Sequence, residues 1–149
     1  MAKVIWYGHA SFLLSIDGVN VLIDPWITNP LSPYKDVSEF AKDVKNVDYI
    51  VVTHDHADHV GDSIELLQRY RTAKLVALYE LANDIGEKAG VADRVIGTNI
   101  GGPVRLPNIT MVFTPAHHSS IKGDPSGIVI IGKEAAVYHA GDTGLFAEK

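Results

Sequence analysis

The sequence predicts an α/β chain built of sheets with helices on their outer faces. Three observations carry that expectation. Short apolar runs open the chain at 4–7, 11–16 and 20–23, strand and helix patterns alternate between 49 and 88, and the pattern after 104 is all strand. The order is therefore β-rich, then βαβα, then β-rich again.

The first three runs are short, apolar and β-branched or aromatic, which suits strands. Asp17-Gly18 between the second and third reads as a hairpin turn, and Pro25 stops the third strand after Asp24. The stretch 26–35 carries Asn29, Pro30 and Pro33 and reads as a loop. Over 36–44, Val37, Phe40, Ala41 and Val44 fall at helical spacing. Tyr49-Ile50-Val51-Val52-Thr53 is apolar on both faces, as a central strand is, and it leads directly into His54. A helix follows over 63–71, with Ile64, Leu66, Leu67 and Tyr70 on its inner side. Next come a strand over 74–78 and a helix over 80–88 that ends at Gly90. Strands over 104–106, 109–113, 127–131 and 135–139 complete the pattern.

The chain has 149 residues, enough for one domain with a real core, and no repeat or linker interrupts it. No stretch approaches the roughly 20 apolar residues of a membrane span, and the N-terminus reads as a strand rather than a signal peptide. A net charge of −5 with scattered Lys and Arg argues against a nucleic-acid binder. Cysteine is absent, so disulfides and thiolate metal sites are excluded, and a cytoplasmic location is expected. Histidine and carboxylate are the strong metal ligands left.

Those residues cluster at three strand ends. His54-Asp55-His56-Ala57-Asp58-His59 offers several ligands within six residues. Histidines at i and i+2 of an extended segment point the same way, so His54 and His56 can reach one ion. Asp58 and His59 lie where the chain turns into the next helix and point elsewhere, toward a second ion. A solvated helix start would also place Asp58 here, but it leaves three histidines after a buried strand unexplained. The second cluster is Thr114-Pro115-Ala116-His117-His118-Ser119-Ser120, and the third is His139-Ala140-Gly141-Asp142-Thr143-Gly144. Adjacent residues diverge, so His117 and His118 do not both serve one ion. Asp142 alone reads as an ordinary Gly-Asp turn, and His139 reads as a strand residue.

Thr53 to His59 resembles the HxHxDH signature of the metallo-β-lactamase superfamily. The resemblance implies an αββα fold of mixed sheets, with His54 and His56 on a first ion and Asp58 and His59 on a second. It implies His118, rather than His117, as the remaining first-site histidine, and Asp142 as the carboxylate that bridges the ions through its two oxygens. Asp58 and Asp142 are then the expected catalytic carboxylates. Trp6-Tyr7-Gly8-His9-Ala10-Ser11-Phe12 and Leu22-Ile23-Asp24-Pro25-Trp26 are similar to a branch of small metal-dependent hydrolases near the ascorbate-phosphate lactonases. In that branch both segments approach the metal cleft. Asp24 is expected to fix the tautomer of a ligand histidine, and His9 and His117 to contact substrate or stand beside the ligands.

The implied activity is hydrolysis of a small ester, lactone or phosphoester by water activated between two divalent ions, zinc first and manganese or iron as alternatives. The family is usually longer. The domain expected over 1–149 lacks its C-terminal segment, the strands and helix that close its second half, and its last second-site histidine. A non-catalytic metal-binding fragment is therefore the alternative expectation. A complementing C-terminal chain or a second copy is the expected partner.

Overall fold

The structure is a computed structural model that describes residues 1–147. A first sheet of six strands has the order β1 (Lys3–Trp6), β2 (Phe12–Ile16), β3 (Val19–Ile23), β4 (Tyr49–Val51), β5 (Lys74–Leu78) and β6 (Val95–Thr98). β1 to β3 are antiparallel and β3 to β6 parallel. Asp17 and Gly18, at φ +48° and +79°, form the tight left-handed turn joining β2 to β3. Parallel neighbours need crossovers. These are α1 (Val37–Asp43) before β4, α2 (Ala57–Val60) and α3 (Ser63–Arg69) before β5, and α4 (Tyr79–Ala89) before β6. A second, antiparallel sheet of four strands runs β10 (Ala136–His139), β9 (Ser126–Ile131), β8 (Ile109–Pro115) and β7 (Val104–Leu106).

The two-residue period of the strands divides the core into two layers. On one face of the first sheet, Leu13, Leu22, Ile50 and Leu75 pack against Phe40, Leu66 and Ile85 of the helices. On the other face, Leu14, Val21, Val51 and Val76 pack against Met111, Phe113, Ile128 and Ile130 of the second sheet. The helix cover lies on the first sheet alone, because no α-helix follows Ala89 among the described residues. The outer face of the second sheet therefore leaves Val112 and Val129 half-buried and Ile131 and Tyr138 exposed.

Three details depart from the sequence pattern. β6 was not anticipated. β4 stops at Val51 rather than running to residue 53. A separate single turn, α2, carries Asp58 and His59.

Candidate metal centre

The centre lies at the carboxyl ends of the parallel strands, where an open α/β sheet offers a crevice. β3 and β4 are neighbours, so Asp24 after β3 stands beside Thr53 and His54 after β4. Asp24 is fully buried. Its Oδ1 accepts from the Thr53 N–H at 2.8 Å, and its Oδ2 accepts from the Thr53 hydroxyl at 2.7 Å. That is why β4 ends early: the N–H of Thr53 bonds to a carboxylate instead of a neighbouring strand. Residues 53–55 bend rather than extend. His54 and His56 nevertheless converge, with ring centroids 4.7 Å apart.

Asp24 sets two tautomers at once. It accepts a hydrogen bond from His59 Nδ1–H at 2.6 Å, leaving the lone pair of His59 Nε2 to serve a metal. The single hydroxyl proton of Thr53 goes to Asp24, so Thr53 Oγ1 must accept from His54 Nδ1–H at 2.9 Å. His54 Nε2 therefore carries its lone pair toward the centre, and that buried atom has no hydrogen-bond partner.

The remaining donors converge on these two nitrogens. His118 Nε2 lies 3.2 Å from His56 Nδ1 and 3.6 Å from Asp142 Oδ2. Asp142 Oδ2 also lies 3.8 Å from His54 Nε2 and 2.9 Å from His59 Nε2. On the far side of His59, Asp58 Oδ1 is 3.9 Å from His59 Nε2, and Asp58 Oδ2 is 3.2 Å from His9 Nε2. Four donors held tetrahedrally at about 2.1 Å from one zinc ion stand about 3.4 Å apart. Among the described residues, donor atoms within 4.8 Å of one another form three groups: Asp24, His54 and His59, whose carboxylate is already committed to hydrogen bonds, and two others, His54, His56 and His118, and His9, Asp58 and His59. One oxygen of Asp142, rather than its two, lies between them.

The electrostatics agree. Burial, followed by the neighbouring His59, lowers the His54 pKa to about 4, so its ring is neutral at pH 7. Burial opposes charge on His59, but its hydrogen bond to Asp24 and the charges of Asp24, Asp142 and Asp58 raise its pKa. Partial burial works against the Asp142 carboxylate, yet His59, His54 and His118 hold its pKa below the ordinary value. His59 Nε2 and Asp142 Oδ2 thus enclose a place for positive charge.

Asp55, adjacent in sequence to both histidines, turns away and grips the loop that carries His118. Its carboxylate accepts from the N–H groups of Ile121 at 2.9 Å and Lys122 at 2.6 Å and from the Ser120 hydroxyl at 3.0 Å. These bonds lower its pKa against a burial effect that would raise it. Nothing in the sequence separates Asp55 from an ordinary helix-start carboxylate. His117 stands apart from the donor groups. Its N–H donates to Thr143 Oγ1 at 2.9 Å, and its ring stacks on Phe146 with centroids 4.1 Å apart. His139 is in β10, as expected of a strand residue. Its Nδ1 accepts from the Gly141 N–H and its Nε2 donates to the Ala10 carbonyl at 2.9 Å, tying the Asp142 turn to the His9 loop. Gly141, at φ +65°, has the carbonyl of Ser126 where a Cβ would stand, so this turn admits no side chain.

A family model described as the beta-lactamase superfamily domain matches residues 19–149. A UPF0173 metal-dependent hydrolase of Hyperthermus butylicus is 59% identical, the alignment covering 99% of this chain and 64% of that protein. One of Thermofilum pendens is 50% identical over 99% of this chain and 64% of its own length. Among solved structures, a metallo hydrolase from Ignicoccus hospitalis matches with a TM-score of 0.86 at 43% identity, over 99% of this chain and 63% of that one. A diiron beta-hydroxylase from Streptomyces venezuelae shares the fold, with a TM-score of 0.74 at 19% identity over 95% of this chain and 30% of its own. The chain spans about 64% of the length of the curated relatives it matches.

Proposed function

This chain belongs to the beta-lactamase superfamily, and from that premise we propose that it forms the metal-holding part of a hydrolase acting on a small ester, lactone or phosphoester. The observation that carries the proposal is the convergence of imidazole nitrogens, the buried and unpartnered His54 Nε2 among them, on one carboxylate oxygen. A buried polar atom without a partner costs roughly 1–3 kcal/mol unless something binds it. A divalent cation satisfies His54 and the carboxylate together.

In this reading His54, His56, His118 and Asp142 hold the first ion, and Asp58, His59 and Asp142 hold the second. Bound there, two divalent ions would supply Lewis acidity and a water whose pKa falls toward about 7. Zinc is the proposed metal, with manganese or iron compatible with the same nitrogen and oxygen donors. The chain's own part is orientation. Asp24 fixes the tautomers of His54 and His59, Asp55 holds the His118 loop, and Asp142 sits between the two donor groups. Asp58 and Asp142, with side chains 40% and 36% exposed, stand where they can accept hydrogen bonds from an attacking water. Ser119, whose hydroxyl lies 3.4 Å from His56 Nε2 on the exposed loop, is proposed to contact substrate.

The second reading is a metal-binding piece that acts once complemented. It rests on the uncovered face of the second sheet and on a cleft of about 450 Å³ between β1 and β10, lined by Val4, Phe12, Leu14, Val137 and Tyr138. Such apolar surface is where a complementing segment or second copy would pack. One experiment separates the readings: a screen of lactone and phosphoester reporters with zinc- or manganese-loaded protein, and with His56→Ala as control. Turnover that disappears in His56→Ala supports the hydrolase. Bound metal without turnover supports the complemented fragment.

A further inference from the structure

We propose that an apolar pocket beside residues 55–57 receives the alkyl or acyl chain of the substrate, which narrows the substrate to a neutral, chain-bearing ester or lactone. The proposal rests on the hydrolase reading above for its reaction, while the pocket rests on geometry apart from the ions. About 340 Å³ lies open between α2, α3, α4 and the 120–122 segment, within the range of small-molecule sites. Leu81 and Ile85, one helical turn apart on α4, are buried and form the floor together with the half-buried Ile64 of α3. Val60 at the end of α2 and Ile121 line the sides. Ile121 is 87% exposed. A lone exposed isoleucine is ordinary, but one continuous with an apolar floor marks a place where apolar groups bind.

Two features fix the occupant. The first is charge. Both carboxylates that line the pocket already have partners: Asp55 accepts from the N–H groups of Ile121 and Lys122, and Asp84 pairs with Lys88 at 2.9 Å. With Lys122 as the second cation, the four charges around the pocket cancel, so it holds no net attraction for a phosphate or carboxylate. The second is continuity with the metal centre. Asp55 and Ala57 line the pocket and are the chain neighbours of His56. Ile121 and Lys122 follow closely on His118 and Ser119, and the Ser119 hydroxyl lies 3.4 Å from His56 Nε2. A carbonyl placed at His56 and His118 therefore has the pocket as the next surface its substituent meets. Burial of that substituent supplies binding in proportion to the apolar area it removes from water.

The test uses methyl alkyl ketones with chains from ethyl to octyl, which carry an ester's carbonyl and chain but no bond to hydrolyse. Zinc-loaded protein with ¹³C-labelled isoleucine methyl groups is titrated with each ketone and followed by NMR. The methyls of Ile64, Ile85 and Ile121 should shift, and that of Ile23, in the cleft between β1 and β10, should not. The dissociation constant should fall about fourfold per added methylene until the pocket is full, which is the free energy of burying one methylene expressed as a ratio. Ile121→Asp, at an exposed position, keeps the N–H that Asp55 binds and should cut that dependence to below about twofold per methylene. The p-nitrophenyl esters from acetate to octanoate, assayed alongside, should show kcat/KM rising with chain length. Ketones that shift Ile23 alone, or a dissociation constant indifferent to chain length, overturn the proposal, and ester turnover in the same sample then leaves the hydrolase reading standing. Ketone shifts at Ile64 and Ile85 without turnover of any ester overturn the hydrolase reading and support the pocket as a binding site for apolar chains.

Discussion

The two sheets serve the centre by different means. The first sheet contributes His54, His59 and Asp24, all fully buried and joined by hydrogen bonds that leave each histidine one tautomer. The second contributes His118 and Asp142, with side chains 29% and 36% exposed, on loops beyond β8 and β10. One half is rigid because the core and a buried carboxylate hold it. The other half is positioned by ties from the first: Asp55 to the 120–122 segment, Ser126 Oγ to the Thr53 carbonyl at 2.5 Å, and His139 to Ala10. The contrast teaches that donor preorganisation and donor delivery are separable here. Substitutions on the first side should act on folding, and those on the second on metal affinity.

The largest effect tests the rigid half. Asp24→Ala leaves His59, Thr53 and their N–H and O–H groups without their acceptor, and should destabilise by about 3–5 kcal/mol in chelator, measured by urea denaturation. A loss below about 1 kcal/mol would break the contrast. On the loop side, His118→Ala should weaken the first ion about 100-fold, read by titration. Its ion-free stability should change by less than about 0.5 kcal/mol. Asp55→Ala spans the two halves. Removing three partly exposed hydrogen bonds should cost about 1–2 kcal/mol, and the freed His118 loop should weaken the first ion about 10-fold.

The pH dependence of the ion-free protein gives a smaller effect with a defined sign. His54 is depressed from 6.5 to about 4, so the unfolded chain binds its proton first and stability falls as pH drops from 6.5 toward 4. His59 is raised above 6.5, so its contribution is full below that value and is lost as pH climbs through its folded pKa. The urea midpoint in chelator should peak near pH 6.5 as far as these two histidines govern it. A midpoint rising steadily from pH 6 to 8 would contradict the His59 arrangement. The smallest effect probes the bare face. Val129→Thr should alter stability by less than about 0.5 kcal/mol in a chain whose second sheet is uncovered. A larger loss, with a shift in light-scattering mass, would mean that a second copy covers it.

Much of this was legible in the sequence because it is local. The Asp17-Gly18 turn, the alternating elements from 49 to 88 and the clusters at 54–59, 117–118 and 142 each depend on a few adjacent residues. Features that depend on contact were not. β6 offers Val95 and Ile96 before Gly97, too little for a strand signal, and it forms because β5 pairs with it. The early end of β4 follows from Asp24, far away in sequence. Asp55 becomes an anchor only once the 120–122 segment lies beside it, and His117 is set apart by Phe146 and Thr143. The left-handed Gly8-His9 pair is imposed by Asn29, Trp6 and His139 from outside the turn itself.

Anomalous diffraction from zinc-loaded crystals tests the shared centre most directly. The expected result is two peaks about 3.5–4 Å apart. One should lie among His54, His56 and His118 and the other beside Asp58 and His59, with Asp142 Oδ2 between them. A single peak, or two peaks that do not share Asp142, would contradict the account.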